Sequence, residues 1–190
     1  MATYTDDFNR ANEDPLANGP GWTTAPGLSA MKIVTNQCLP QSGADSGSRV
    51  TTTSAADHSA ACKVPTGGNN GPMVRCKTSG AVKGGYALAL QSGNIVCYRM
   101  DQFSYTNINM TGGGTTFTSA NAMKLGVVGT TLTGYKDGVS FGTATDATYQ
   151  TELGFGLWCF NGTQGVLDDF DGSDGAAAGG GNPWYAYAQQ

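Results

Sequence analysis

Four carboxylates crowd into the run Asp168, Asp169, Asp171 and Asp174. Hard oxygen ligands in such number suit calcium, which takes six to eight of them. The run lacks the D-x-D-x-D-G spacing of an EF-hand, so an ion held by Asp168, Asp169 and Asp171 would need further oxygens from elsewhere in the chain. The plain alternative is a polar strand edge whose charges face water and discourage edge-to-edge pairing.

The chain has one histidine, His58, flanked by Asp57 and Ser59. These are the residue types of a nucleophilic relay, but neighbours along a strand point to opposite faces. No G-x-S-x-G elbow accompanies them. A lone His among Ala and Ser reads as a solvated or hydrogen-bonded side chain.

The five cysteines, Cys38, Cys62, Cys76, Cys97 and Cys159, form no C-x-x-C pair. With a single His beside them a zinc cage has no support, and small buried thiols are the plain reading. Cys62 and Cys76 flank "KVPTGGNNGPMVR", which reads as a hairpin that would bring them close enough to bond. The odd thiol left over could then bridge to a neighbouring subunit, in a setting outside a reducing cytosol. Sugar recognition would need aromatic platforms with amide or carboxylate partners. Trp22, Tyr98, Tyr105 and Asn107 are of the right types, against the alternative that aromatic residues at alternate strand positions serve the core.

The elements that must position these groups are strands. Only 13% of the 190 residues are charged, and 29 are Gly. Gly is costly inside a helix and Thr stiffens in favour of strands, so the composition points to an all-β sandwich with many turns. "MKIVTNQCLPQ", "MVRCKTS", "NIVCYRMD" and "TFTSANAMKLGVVG" read as strands. In "GYALALQ" Tyr86, Leu88 and Leu90 fall on one face and Ala87 and Ala89 on the other, the period of a half-buried strand. "TLTGYKDG" and "VSFGTATD" join at an Asp-Gly, the strongest hairpin signal in the chain. "LGFGLWCF" follows, and "GVLDDFDGSDG" closes the fold. No run of ten residues or more carries a helical apolar stripe. "AAAGGGNPWYAYAQQ" then changes character, Gly-rich spacing leading to Trp184, Tyr185 and Tyr187. It reads as a flexible linker with an aromatic tip that reaches a neighbour. The division expected is a β-sandwich over residues 1–172 and a tail over 173–190.

The net charge is −4, and the ten Lys and Arg residues never cluster. Nucleic-acid binding needs a basic stripe to neutralise phosphates, so that class is set aside. No apolar stretch approaches the ~18 residues of a membrane span. "MATYTDDFNRAN" has neither the basic nor the apolar part of a secretory signal, so a chain starting at Met1 is expected to be made in a cytoplasm and not exported by that route.

The order of these pieces resembles the concanavalin A-like, or laminin G-like, jelly-roll domains found in many bacterial and phage proteins. "DDFNRA" near the start and "LDDF" near the end are similar to that family's opening and closing strands, which pair in one sheet. Between them "MVRCKTS", "GGYALAL", "VCYRM", "LGVVGTTLTGYKDG", "TATDATY" and "LGFGLW" keep the family's order. The resemblance spans roughly residues 4–171 and implies an antiparallel two-sheet jelly-roll sandwich of the lectin and glucanase type. It also implies that Asp6 and Asp7 lie near the closing acidic strand.

Glycoside hydrolases with this resemblance carry an E-x-D-x-x-E motif, because cleavage needs two carboxylates ~5–10 Å apart across the sugar bond. The only two Glu here, Glu13 and Glu152, stand in no such motif. The expectation is therefore a non-catalytic structural protein of a phage virion, as capsid decoration, collar or fibre component. It would be made in the host cytoplasm, associate with other virion proteins and with copies of itself, and dock through Trp184, Tyr185 and Tyr187. Adhesion to host surface glycans is the alternative. No cofactor is expected other than calcium at the acidic run.

Overall fold

The computed structural model describes residues 3–66, 68–91, 93–111, 115–118, 121–161 and 165–175. The segment carrying Trp184, Tyr185 and Tyr187 lies outside them. In chain order the strands are β1 (Thr3–Asp6), β2 (Trp22–Thr24), β3 (Met31–Val34), β4 (Gln37–Pro40), β5 (Ser46–Val50), β6 (His58–Thr66), β7 (Asn70–Cys76) and β8 (Gly85–Gln91). They continue as β9 (Asn94–Asp101), β10 (Ser104–Ile108), β11 (Ala122–Val128), β12 (Thr131–Lys136), β13 (Val139–Thr145), β14 (Gly154–Cys159) and β15 (Val166–Asp174). A single 3-10 turn, Leu16–Asn18, is the helical part of the described residues.

Two antiparallel sheets face each other. One runs β13-β12-β11-β6-β15-β4-β3 with β1 also on β15, and the other runs β10-β9-β8-β7-β14-β5-β2. The first and last strands pair as expected, Thr3 opposite Ser173 and Asp6 opposite Phe170. Strand β15 continues to Asp174, two residues beyond the expected domain boundary, because Asp174 still pairs with His58 on β6. The Asp-Gly turn is also as read: Asp137 and Gly138 take φ of 50° and 80°, and Lys136 pairs with Val139 across it. Positive φ at both central residues gives the twist a two-residue hairpin needs.

The expected hairpin between Cys62 and Cys76 is not formed. Strand β6 belongs to one sheet and β7 to the other, so the turn between them carries the chain across the sandwich. Cys62 faces the core between the sheets, whereas Cys76 packs on the far face of the seven-stranded sheet. All five cysteines are free and buried. The disulfide expectation is corrected accordingly.

The core between the sheets is built on the alternate residues of each strand. Trp22 and Phe170 meet edge to face at 4.9 Å, and Phe170 stacks on Phe155 at 6.2 Å. The "DDFNRA" opening supplies the polar clamp beside them. Asp6 accepts hydrogen bonds from the Phe8 N–H at 2.8 Å and the Trp22 indole N–H at 2.7 Å, and pairs with Arg10 at 2.6 Å. No helix among the described residues is long and apolar enough to cross a membrane.

Candidate functional site

Strand β8 shows why the outer face of the seven-stranded sheet is unusual. Tyr86, Leu88 and Leu90 enter the inter-sheet core as the alternation requires, but Ala87 and Ala89 on the other face are also fully buried. A sheet face that ought to meet water is covered. Its floor continues through Met73 on β7 and through Gly154, Gly156 and Trp158 on β14, all buried.

The cover consists of aromatic rings. Tyr98 from β9, Tyr105 from β10 and Phe160 just beyond β14 gather over Trp158, with Tyr105 5.4 Å from the Trp158 ring and 5.2 Å from Phe160. Tyr98 lies 6.0 Å from Tyr105 and 6.1 Å from Trp158, again tilted or edge to face. Strands β10 and β14 stand four places apart in the sheet, roughly 19 Å along it at ~4.8 Å per strand. For side chains on these strands to touch, the sheet must curl into a hollow, and Tyr105 reaches inward from its rim.

One polar cluster holds that reach. The Tyr105 hydroxyl donates to Asp45 Oδ2, and Lys83 Nζ donates to the same carboxylate at 2.5 Å and to the Tyr105 oxygen at 2.7 Å. The ammonium also lies 4.0 Å from the centre of the Tyr105 ring, a cation–π contact. Asp45 Oδ1 accepts the Asn161 N–H at 2.8 Å. Partial burial pushes the Asp45 pKa up, but these donors outweigh it and hold the carboxyl below its usual value. Burial, reinforced by the bond to Asp45, pushes the Tyr105 hydroxyl well up, so it stays a donor.

Trp158 is fully buried at the bottom of the hollow. Its indole N–H is near enough to the Tyr105 hydroxyl to affect its acidity, yet meets no partner in hydrogen-bond geometry.

At the mouth of the hollow polar groups stand beside ring edges. Asn107 is exposed and sits opposite Tyr98 in the ladder, so both project from the same face. The Tyr98 hydroxyl approaches Gln91 Oε1 at 3.4 Å. A cleft of about 210 Å3 lies beside the start of β9 and the end of β10, lined by Asn107 and also by core-facing residues such as Ile95 and Cys97.

Three of the four aromatic and amide candidates therefore share one site: Tyr98, Tyr105 and Asn107. Trp22 does not belong with them. It is 2% exposed in the inter-sheet core, where its indole serves Asp6. Asp45, Lys83, Trp158 and Phe160 are not among the sequence candidates, because Asp45 and Lys83 stand in Gly- and Ser-rich connections and Trp158 and Phe160 stand in "LGFGLWCF", a run with no polar partner. The signal available was "GFGLWCF", whose alternate residues Gly154, Gly156, Trp158 and Phe160 place small and then large side chains along one face.

The acidic run does not gather round an ion. On β15 the Asp169 carboxylate pairs with Lys63 at 2.6 Å, and Lys124 lies near Asp171. Asp174 accepts the Ala55 N–H at 2.8 Å and Asp7 the Asn9 N–H at 3.0 Å. Burial, with repulsion from Asp169, raises Asp168 to about 6. Among the described residues no three or more His, Cys, Asp or Glu side chains are placed to hold a metal ion. In this arrangement the Asp169 and Asp171 carboxylates face the chain's own lysines.

The relay types around His58 do not assemble either. His58 is fully buried, its Nε2 accepting the Arg75 N–H at 3.0 Å while Nδ1 lies 2.8 Å from the Ala55 carbonyl oxygen. Ser59 lies 3.0 Å from the Ser173 hydroxyl instead.

No protein-family model matches the chain, and no curated protein matches it significantly. Solved structures share its fold. The carbohydrate-binding module CBM66 from Bacillus subtilis superposes with a TM-score of 0.61 at 17% identity, over 80% of this chain and 93% of that one. A prokaryotic beta-1,3-1,4-glucanase (lichenase) from a mouse hindgut metagenome gives 0.56 at 9% identity, over 92% and 99%. The beta-porphyranase BpGH16B from Bacteroides plebeius gives 0.50 at 10% identity, over 89% of each chain. At these identities the likeness establishes the sandwich fold, which carbohydrate-binding modules and glycoside hydrolases share.

Proposed function

We propose that the protein is a non-catalytic, lectin-like module that holds a glycan at the mouth of the hollow in the seven-stranded sheet. The observation that carries this reading is the gathering of Tyr98, Tyr105 and Phe160 on the Trp158 ring, with Asn107 opposite Tyr98 in the ladder and Asp45 and Lys83 bonded to the Tyr105 hydroxyl. Sugars present apolar C–H faces to aromatic rings and hydroxyls to amides and carboxylates, and the rim offers both. The fold is shared with a carbohydrate-binding module.

The non-catalytic part of the reading rests on the carboxylates. Hydrolysis needs an acid and a second carboxylate across the sugar bond. Asp45 is committed to Lys83, Tyr105 and Asn161, and the two Glu lie elsewhere, Glu13 paired with Arg10 and Glu152 after the Tyr149 turn.

Titration of the purified chain against a glycan array, with Tyr98→Ala and Asn107→Ala beside it, tests the reading. Binding that falls at least tenfold in either variant supports it. A blank array, or binding that ignores both substitutions, overturns it. Release of reducing ends from any bound glycan would overturn the non-catalytic part.

The setting proposed with it is the surface of a phage particle. The resemblance and the Gly-linked Trp184, Tyr185 and Tyr187 support that setting. A chain truncated after Gly175 is expected to unfold at an unchanged temperature and to be left out of the particle. Normal incorporation of the truncated chain would overturn it.

A further inference from the structure

Tyr105 is the one ring of the cluster that comes from an edge strand. Strand β10 pairs only with β9, and its Ser104, Thr106 and Asn107 are exposed. From that edge its ring reaches to 5.4 Å from the fully buried Trp158 while itself staying partly exposed, and its hydroxyl ends on Asp45. On the same face of the sheet lie the small residues Ala87, Ala89 and Gly156, and the Trp158 indole N–H, which makes no hydrogen bond of good geometry. A sugar that took the place of this tilted ring would stack on the indole and offer a hydroxyl to its N–H.

We propose that Tyr105 is a lid that occupies the deeper sugar position on Trp158, latched shut by its hydroxyl on Asp45 and Lys83, and that a glycan must displace it to bind there. The inference rests on the glycan-binding reading and adds to it a closed resting state. The lid has few anchors to give up. Beyond the ring contacts, the Tyr105 side chain is held by the one cluster with Asp45 and Lys83. A site that is open only part of the time binds its ligand more weakly by the open fraction, so loosening the latch should tighten binding.

The direction of the effect separates a lid from a platform. Tyr105→Phe keeps the ring and loses both hydroxyl contacts. In a Trp184→Phe background the tryptophans are Trp22, which is buried in the inter-sheet core, and Trp158. Acrylamide quenching should then rise at least twofold on Tyr105→Phe, reporting exposure of Trp158. Unchanged quenching in a variant that still unfolds cooperatively overturns the lid. In calorimetric titrations with cellotriose, laminaritriose and maltotriose as probes, Tyr105→Ala should bind at least fivefold tighter than the parent chain. Tyr105→Ala binding equal to or weaker than the parent overturns the lid and leaves the glycan reading standing. No binding by the parent or by either variant overturns the glycan reading, and with it the lid's role, whatever the quenching shows.

Discussion

The backbone N–H of Arg75 donates to Nε2 of His58 at 3.0 Å, inside the sandwich, where both side chains are fully buried. Arg75 adopts a φ of 46°, and its guanidinium turns to the Ala56 carbonyl through Nε at 3.2 Å and Nη2 at 3.0 Å. Asp57 stands 3.6 Å away as its carboxylate partner. Since Nε2 must accept, the proton of the neutral ring sits on Nδ1 and is given to Ala55. The only histidine is thus a joint between β6 and β7, consecutive strands that lie in different sheets.

That joint predicts an acid sensitivity. Burial is the largest cause lowering the His58 pKa, and the charge of Arg75 adds to it against the Ala55 carbonyl. The folded value lies below the unfolded one of about 6.5, so the unfolded chain binds the proton first. The contribution is present above about pH 6.5 and is lost as the pH falls towards the folded value. The urea midpoint should fall between about pH 7.5 and 5, and His58→Gln should flatten that slope. An equal slope in the variant would show that His58 is not the group responsible.

Asp168 acts in the opposite sense. Its folded pKa, raised to about 6, exceeds the unfolded value, so the protonated form is the one folding favours. Its contribution is present in acid and is lost as the pH rises through about 6. Asp168→Asn, which keeps an oxygen for the Asp169 N–H, should therefore raise the urea midpoint at about pH 7.5, with the gain vanishing below about pH 4. A variant less stable at neutral pH would contradict this. The His58 slope is best measured in this background, where the two titrations no longer oppose each other.

Trp22 should prove structural. Trp22→Phe keeps most of the ring packing against Phe8 and Phe170 but removes the donor to Asp6. Stability should drop by roughly 1–3 kcal/mol, the usual cost of leaving one side of a buried bond to a charged group unmade. Binding to any glycan should be unchanged by calorimetry. A loss of affinity at unchanged stability would return Trp22 to the site.

The cysteines should be silent until the chain unfolds. Burial pushes Cys76 and Cys97 up to about 12 and raises Cys38, Cys62 and Cys159 as well, and thiol chemistry needs the thiolate. A thiol reagent should modify none in the native protein and all five after urea, with identical masses under reducing and non-reducing conditions. A mass lower by one pair of hydrogens, or a linked dimer, would sink the free-thiol assignment.

Local patterns in the sequence determined the strands and the turn at Asp137 and Gly138, while the pairing of the first strand with the last is implied by the family resemblance. Alternation and turn chemistry are set by residues a few places apart, so they can be read without knowing the fold. The same alternation put Ala87 and Ala89 on a face opposite Leu88, but could not show that this face is covered as well. Only the tertiary structure decided that, because the curl of the sheet brings Tyr105 to Asp45, 60 residues earlier, and onto Trp158 four strands away. It likewise separated Trp22 from Tyr98 and Cys62 from Cys76, since facing sheets keep apart what a short stretch of chain seems to join. Which rings meet, and whether they meet water, depends on where distant strands lie in space.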